Sequence, residues 1–170
     1  MKQLTKKEIK KKNKRFKRHQ NIVLLLENIQ YARNVASIFR TADAGGVSEI
    51  ILTGISHTPP FGKDLVKASR HKEKRLPWTK AKSSGKAIEK LKKQGFKIIA
   101  VELTDDAIPI DQLKQYTEQM QKICFVLGNE TYGITKKTLN RCDLAVSIPM
   151  YGKGASLNVS VAAGIVLFAI

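Results

Sequence analysis

Three stretches of this chain hold the residues with chemistry to offer. The first is NVASIFRTADAGGV, from Asn34 to Val47, where Arg40 is an arginine inside a mostly uncharged stretch. The second is FVLGNETYGI, from Phe125 to Ile134, an apolar run that ends in a glycine turn and the carboxylate of Glu130. The third is IPMYGKGASLNVSVAAG, from Ile148 to Gly164, in which two spaced glycines lead through Ser156, Leu157 and Asn158 into small residues. That last loop reads as a phosphate cradle, a cofactor pocket or a tight turn between core elements.

Several familiar chemistries fail on spacing. Gly128 and Gly133 are spaced as in a P-loop, but Ile134-Thr135 follows where Lys-Ser/Thr is needed to reach the phosphates. Gly152-Lys153-Gly154 continues as Ala-Ser-Leu, which is not a dinucleotide fingerprint. Neither a GxSxG elbow nor a paired Ser and His supports acyl transfer. The histidines His19, His57 and His71 are scattered and form no metal ligand set. Cys124 and Cys142 lie in or beside apolar runs and read as reduced core thiols.

The elements that must position these stretches alternate in type. Short apolar runs at Ile22–Leu26, Glu49–Thr53, Lys97–Leu103, Ile123–Leu127 and Leu144–Ile148 read as buried strands. Helical patterns cover Tyr31–Ala44, stopped by Gly45-Gly46, and Ser83–Gln94, an exposed lysine-rich helix closed by Gly95. A short helix is expected at Thr135–Asn140 with Thr135 as N-cap, and an apolar helix at Asn158–Ile170. Residues Gly54 to Gly62, with Pro59-Pro60, read as a loop. This alternation predicts one α/β domain over 21–170 with a mainly parallel sheet flanked by helices, after a basic arm over 1–20. Ligands of such sheets gather at the carboxyl ends of strands, and three exits are polar or glycine-rich: 101–104, 127–130 and 149–156.

Charge points to the partner. The chain has 170 residues and a formal net charge of +17, concentrated in two blocks. Residues 1–20 carry ten basic and one acidic side chain; residues 63–97 carry thirteen and three. Clustered excess of this kind is the footprint of a nucleic-acid binder, read here as RNA contacted through both blocks. The alternative is a solvated lysine face plus a disordered tail. Few aromatic residues interleave the blocks, which favours backbone-phosphate attraction over a stacking platform. Lys2–Arg18 reads as a helix, or as an arm that orders on binding. No signal peptide is visible, and the final apolar run is too short to span a membrane, so a cytoplasmic, membrane-free protein is expected.

The three stretches together resemble the SpoU/TrmH branch of the SPOUT RNA 2'-O-ribose methyltransferases, in order and at matching separations from about Asn21 to Ile170. The resemblance implies a C-terminal trefoil knot, where topology rules alone predict an unknotted sheet. It also implies a homodimer, S-adenosyl-L-methionine as cofactor, no metal, and a ribose 2'-hydroxyl of tRNA or rRNA as acceptor. By motif, Val101, Leu127, Gly128, Ile148, Met150 and Leu157 would hold the cofactor, largely through backbone groups and apolar walls. Gly128, Gly152 and Gly154 would let the backbone approach the ligand or take positive φ.

The same resemblance implies catalytic roles for Arg40, Asn34, Glu130, Ser156 and Asn158. Arg40 would serve as base or as an electrostatic clamp on the target phosphate. A guanidinium ordinarily titrates above pH 12, so a base role demands strong perturbation. Asn34 and Asn158 would position substrate or arginine, and Ser156 would hold the nucleotide or the cofactor's polar end. Glu130 would orient Arg40 or cap the following turn. The small-residue helix after Asn158 would lie at the dimer interface. Without a separate N-terminal RNA-binding domain, tRNA is the favoured substrate, a guanosine one candidate nucleotide. An rRNA substrate and a non-catalytic RNA-binding protein are the alternatives. The sequence departs from the family at Ala68-Ser69-Arg70-His71, where relatives often carry a small residue and a glycine.

Overall fold

The computed structural model describes residues 2–13, 20–154 and 156–170. Seven strands form one sheet: β1 (Asn21–Glu27), β2 (Glu49–Thr53), β3 (Trp78–Ala81), β4 (Lys97–Val101), β5 (Ile108–Pro109), β6 (Lys122–Leu127) and β7 (Leu144–Ser147). Their order is β3-β2-β1-β6-β4-β7-β5, and every pairing is parallel. All strand carboxyl ends therefore lie along one edge. The helices are α1 (Lys6–Asn13), α2 (Ala32–Ala44), α3 (Lys63–Ser69), α4 (Ser84–Lys93), α5 (Leu113–Thr117), α6 (Lys136–Leu139) and α7 (Val159–Phe168).

The apolar runs are continuous because both faces of the central strands are buried. Along β1, Ile22, Leu24 and Leu26 face the layer of α2 and α7, while Val23 and Leu25 face the layer of α4. Strand β6 repeats this: Ile123, Phe125 and Leu127 on the first side, Cys124 and Val126 on the second. Each such side chain removed from water contributes roughly 1.5–3 kcal/mol before chain entropy is set against it.

The expected elements from Asn21 onward all form, with shifted ends. Strand β4 stops at Val101: the Glu102 N–H still donates to the Val146 carbonyl at 3.1 Å, but the Leu103 N–H donates to the Glu102 carboxylate instead of the sheet. Strand β7 stops at Ser147, two residues before Pro149, which has no N–H to donate. Helix α4 is amphipathic rather than exposed, since Ala87, Ile88 and Leu91 are buried against the sheet. Ser83 caps it, and Gly95 at φ 84° closes it. In the basic arm a helix covers Lys6–Asn13, opened by reciprocal bonds between Thr5 and Glu8. Residues 14–18 of the expected helix lie outside the described residues.

Sequence patterning missed α3, β3, β5 and α5. Each is too short to show a period, and β3 is a half-exposed edge strand rich in polar residues. Between α3 and β3 the chain turns sharply through Arg70 and His71, at φ 54° and 60°. Two consecutive non-glycine residues in the left-handed region cost roughly 1–2 kcal/mol each.

Candidate active site

A cavity of about 340 Å³ opens at the carboxyl ends of β4, β6 and β7. All six residues expected to hold a cofactor, Val101, Leu127, Gly128, Ile148, Met150 and Leu157, line it. Ser156 and Glu130 also line it; Asn34, Arg40 and Asn158 do not. Apolar walls with a few polar groups at strand exits, Glu102 and Asn129 among them, suit a ligand of nucleoside size. Among the described residues no cluster could hold a metal ion.

One wall is the turn from Gly128 to Thr135. A side chain at Gly128 would meet the backbone of Gly133 and Ile134, its Cβ 2.3 Å from each. This glycine therefore lets the turn close on itself while its backbone lines the cavity. Asn129 and Gly133 exchange backbone hydrogen bonds of 3.0 and 2.9 Å, and the Asn129 Oδ1 accepts from the N–H groups of Thr131 and Tyr132. Three carboxylates tie the turn to its surroundings. Glu102 accepts from the Ile134 N–H at 2.9 Å. Buried Glu27 accepts from the Thr135 N–H at 2.9 Å and the Thr138 hydroxyl at 2.6 Å. Thr135 does stand at the N-cap of α6, but its hydroxyl donates to Glu27 and Thr138 instead of capping the backbone.

The third carboxylate, Glu130, reaches across to α2. It accepts from the N–H groups of Gln30 at 2.8 Å and Tyr31 at 3.2 Å, and from the Asn34 amide at 2.7 Å. Burial pushes its pKa up, but these donors outweigh burial and hold the carboxyl below its ordinary 4.5. These contacts tie Glu130 to α2. Glu130 satisfies the open N-terminus of α2, where Tyr31 supplies no side-chain cap, and it does not touch Arg40. Asn34 in turn accepts from the Asn158 amide at 3.0 Å, and Asn158 caps α7 by accepting from the Ser160 N–H at 2.9 Å. A relay of Glu130, Asn34 and Asn158 thus couples the pocket's turn to the starts of both α2 and α7.

Arg40 lies six residues beyond Asn34 on α2, about 9 Å further along the axis. It is exposed and makes no hydrogen bond or ion pair among the described residues. Asn34 and Asn158 bind each other.

The other wall, residues 148 to 157, is built differently. Tyr151 to Gly154 are all exposed, with the Tyr151 ring 96% accessible. Gly152 and Gly154 have open space where a Cβ would stand and no positive φ, so of the two expected reasons for these glycines the backbone conformation is not one. Cys124 is fully buried, and burial pushes its thiol pKa up; Cys142 is pushed up to about 11, again mainly by burial. Both behave as the core thiols expected. Sequence reasoning missed Glu27, and it noted Glu102 and Asn129 only as parts of polar strand exits, without roles. The signal for Glu27 was an acidic residue at the end of an apolar run, LLLE.

The sequence model of the SpoU rRNA Methylase family matches residues 21–168. A tRNA (guanosine(18)-2'-O)-methyltransferase of Escherichia coli K12 is 32% identical over 155 residues, covering 89% of this chain and 63% of the relative. A tRNA/rRNA methyltransferase of Archaeoglobus fulgidus, itself uncharacterized, is 32% identical over 148 residues, covering 87% and 63%. The chain thus spans 63% of the length of these relatives. Among solved structures, the A. aeolicus TrmH/SpoU tRNA modifying enzyme superimposes with a TM-score of 0.77 at 28% identity, over 95% of this chain and 82% of that one. An AdoMet-bound rRNA methyltransferase of Sinorhizobium meliloti gives 0.78 at 25% identity, over 89% and 56%. By the match to its pocket-bearing domain, the chain belongs to the SpoU rRNA Methylase family.

Proposed function

We propose that the protein is an S-adenosylmethionine-dependent RNA 2'-O-ribose methyltransferase acting on tRNA. The observation that carries this reading is the cavity at the carboxyl edge of β4, β6 and β7, lined by all six residues the family motifs assign to the cofactor. Val101, Leu127, Ile148, Met150 and Leu157 would enclose the adenosine, with backbone groups at the strand exits reading its edge. When bound, the cofactor supplies an electrophilic sulfonium methyl group. Ser156, exposed on the pocket wall, would hold the incoming ribose or the cofactor's polar end. The Glu130–Asn34–Asn158 relay fixes the frame around them.

Arg40 is assigned to stabilise charge on the ribose oxygen and to hold its phosphate. It stands outside the cavity of its own chain, so we assign it to the pocket of a second copy in a homodimer. In support of a dimer, α7 carries an apolar stripe in which Val161 and Phe168 are exposed and Ile165 is half-buried between them, at the spacing of one helix face. We also propose that the chain is knotted near its C-terminus. In support, β6 sits between β1 and β4, and β7 between β4 and β5, each inserted beside strands laid down earlier.

The E. coli relative's action on a tRNA guanosine supports tRNA, with guanosine as the nucleotide; the S. meliloti neighbour supports rRNA as the second reading. No helix among the described residues is long and apolar enough to cross a membrane, in keeping with work on cytoplasmic RNA. The test is mass spectrometry of nucleosides from tRNA and rRNA treated with the enzyme and methyl-labelled S-adenosylmethionine. Label on a tRNA ribose is expected. Label on a base, or on neither RNA, refutes the proposal. Single-turnover rates should fall at least a hundredfold, roughly, in Arg40→Ala.

A further inference from the structure

We propose that the cavity between the Pro59-Pro60 turn and Trp78 is a second RNA site, taking one unstacked nucleotide of the substrate away from the methylated ribose. This rests on the reading that the substrate is RNA. The cavity holds about 360 Å³ and shares no lining residue with the pocket at β4, β6 and β7. It lies at the opposite end of the sheet, beside the edge strand β3. Pro59, Pro60, Phe61 and Trp78 supply flat apolar walls, and His71, Lys74 and Glu73, whose carboxylate is bound by Ser69, supply polar ones. Such walls suit the π-face of a base, which proteins bind against aromatic rings once it leaves its stack.

The corner beside the cavity is held in an unusual state. Arg70 and His71 take left-handed backbone at φ 54° and 60°, a conformation that glycine adopts freely and these residues do not. The corner is locked beneath them by the buried Ser69–Glu73 hydrogen bond of 2.5 Å and by the Arg70 N–H to the Val66 carbonyl at 2.9 Å. Two large cationic or titratable side chains thus stand where the backbone calls for glycine, which points to use of the side chains.

Charge completes the match. Lys63, Arg70, Lys74 and Arg75 are exposed and form no ion pair among the described residues, whereas Lys72 is neutralised by Asp43 at 2.6 Å. An apolar slot with Lys74 on its wall, and with Lys63, Arg70 and Arg75 close by in the chain, fits a base and its flanking phosphates. It fits an apolar peptide poorly.

Trp78 is the only tryptophan, so its emission reports on this cavity alone. The experiment titrates the full chain, with S-adenosylmethionine present, against unfractionated tRNA and in parallel against total ribosomal RNA. Quenching that saturates along with binding is expected from at least one. Arg70→Gly and His71→Gly suit the backbone, so their thermal midpoints should equal or exceed the wild type. Their RNA affinity should nevertheless fall about tenfold, with S-adenosylmethionine affinity unchanged. RNA binding without a tryptophan response, or wild-type RNA affinity in both variants, overturns the second site and leaves the methyltransferase reading intact. Failure of the wild-type chain to bind either RNA overturns both.

Discussion

The two walls of the pocket contain glycine in similar amounts and are held in opposite ways. Residues 128 to 135 are fixed by Glu27, Glu102 and Glu130, by their own cross-turn bonds, and by the Asn129 amide donating to the Asn28 carbonyl at 2.8 Å. Residues 151 to 154 stand exposed, with open space around Gly152 and Gly154. The first wall is formed before any ligand arrives. The second is left for ligand or substrate to arrange, as expected of a segment with few buried contacts.

Substitutions can break this contrast. The largest effect is expected from Gly128→Val, whose side chain would strike the backbone of Gly133 and Ile134 at 2.3 Å. A loss of about 3 kcal/mol should appear in urea unfolding, and cofactor affinity should fall with it. A stable variant would mean that the turn is not rigid. Glu130→Gln should cost about 1 kcal/mol at neutral pH, since three donors lose a charged acceptor. Its pH dependence carries a sign. The native carboxyl titrates below 4.5, so its stabilisation is complete above the unfolded value and fades as pH falls through the folded one. Wild type and Glu130→Gln should therefore differ at pH 7 and converge in acid, as followed by thermal melts across pH. The smallest effect belongs to the open wall: Gly152→Ala and Gly154→Ala should change stability by less than about 0.5 kcal/mol. A larger loss would show that this loop, too, is held.

How much of this was legible in the sequence follows the same division. The runs LLLE and FVLG announce buried parallel strands, because both faces are covered and no alternation survives. The pocket's apolar lining could be read because it falls at strand exits within three motif blocks. The relay could not. Glu130 and Asn34 are 96 residues apart in sequence, and Asn158 is 124 from Asn34, so only the folded sheet brings them together. The second task of Gly128 was not legible either: it lines the cavity, but it also lets the turn pass close against itself. The corner at Arg70 and His71 was visible only as a departure from a family pattern. Its left-handed backbone violates residue preference, and preference is all that a sequence displays.

The two thiols, one sealed and one half-buried, have a practical consequence. Cys124 has no access to solvent, and Cys142 holds its proton up to about pH 11, so neither offers much thiolate to an alkylating dye at neutral pH. Lys153→Cys would place one reactive sulfur at the tip of the open wall without first stripping the native cysteines. A fluorophore or spin label there would turn the arrival of cofactor or RNA into a signal from a single known position.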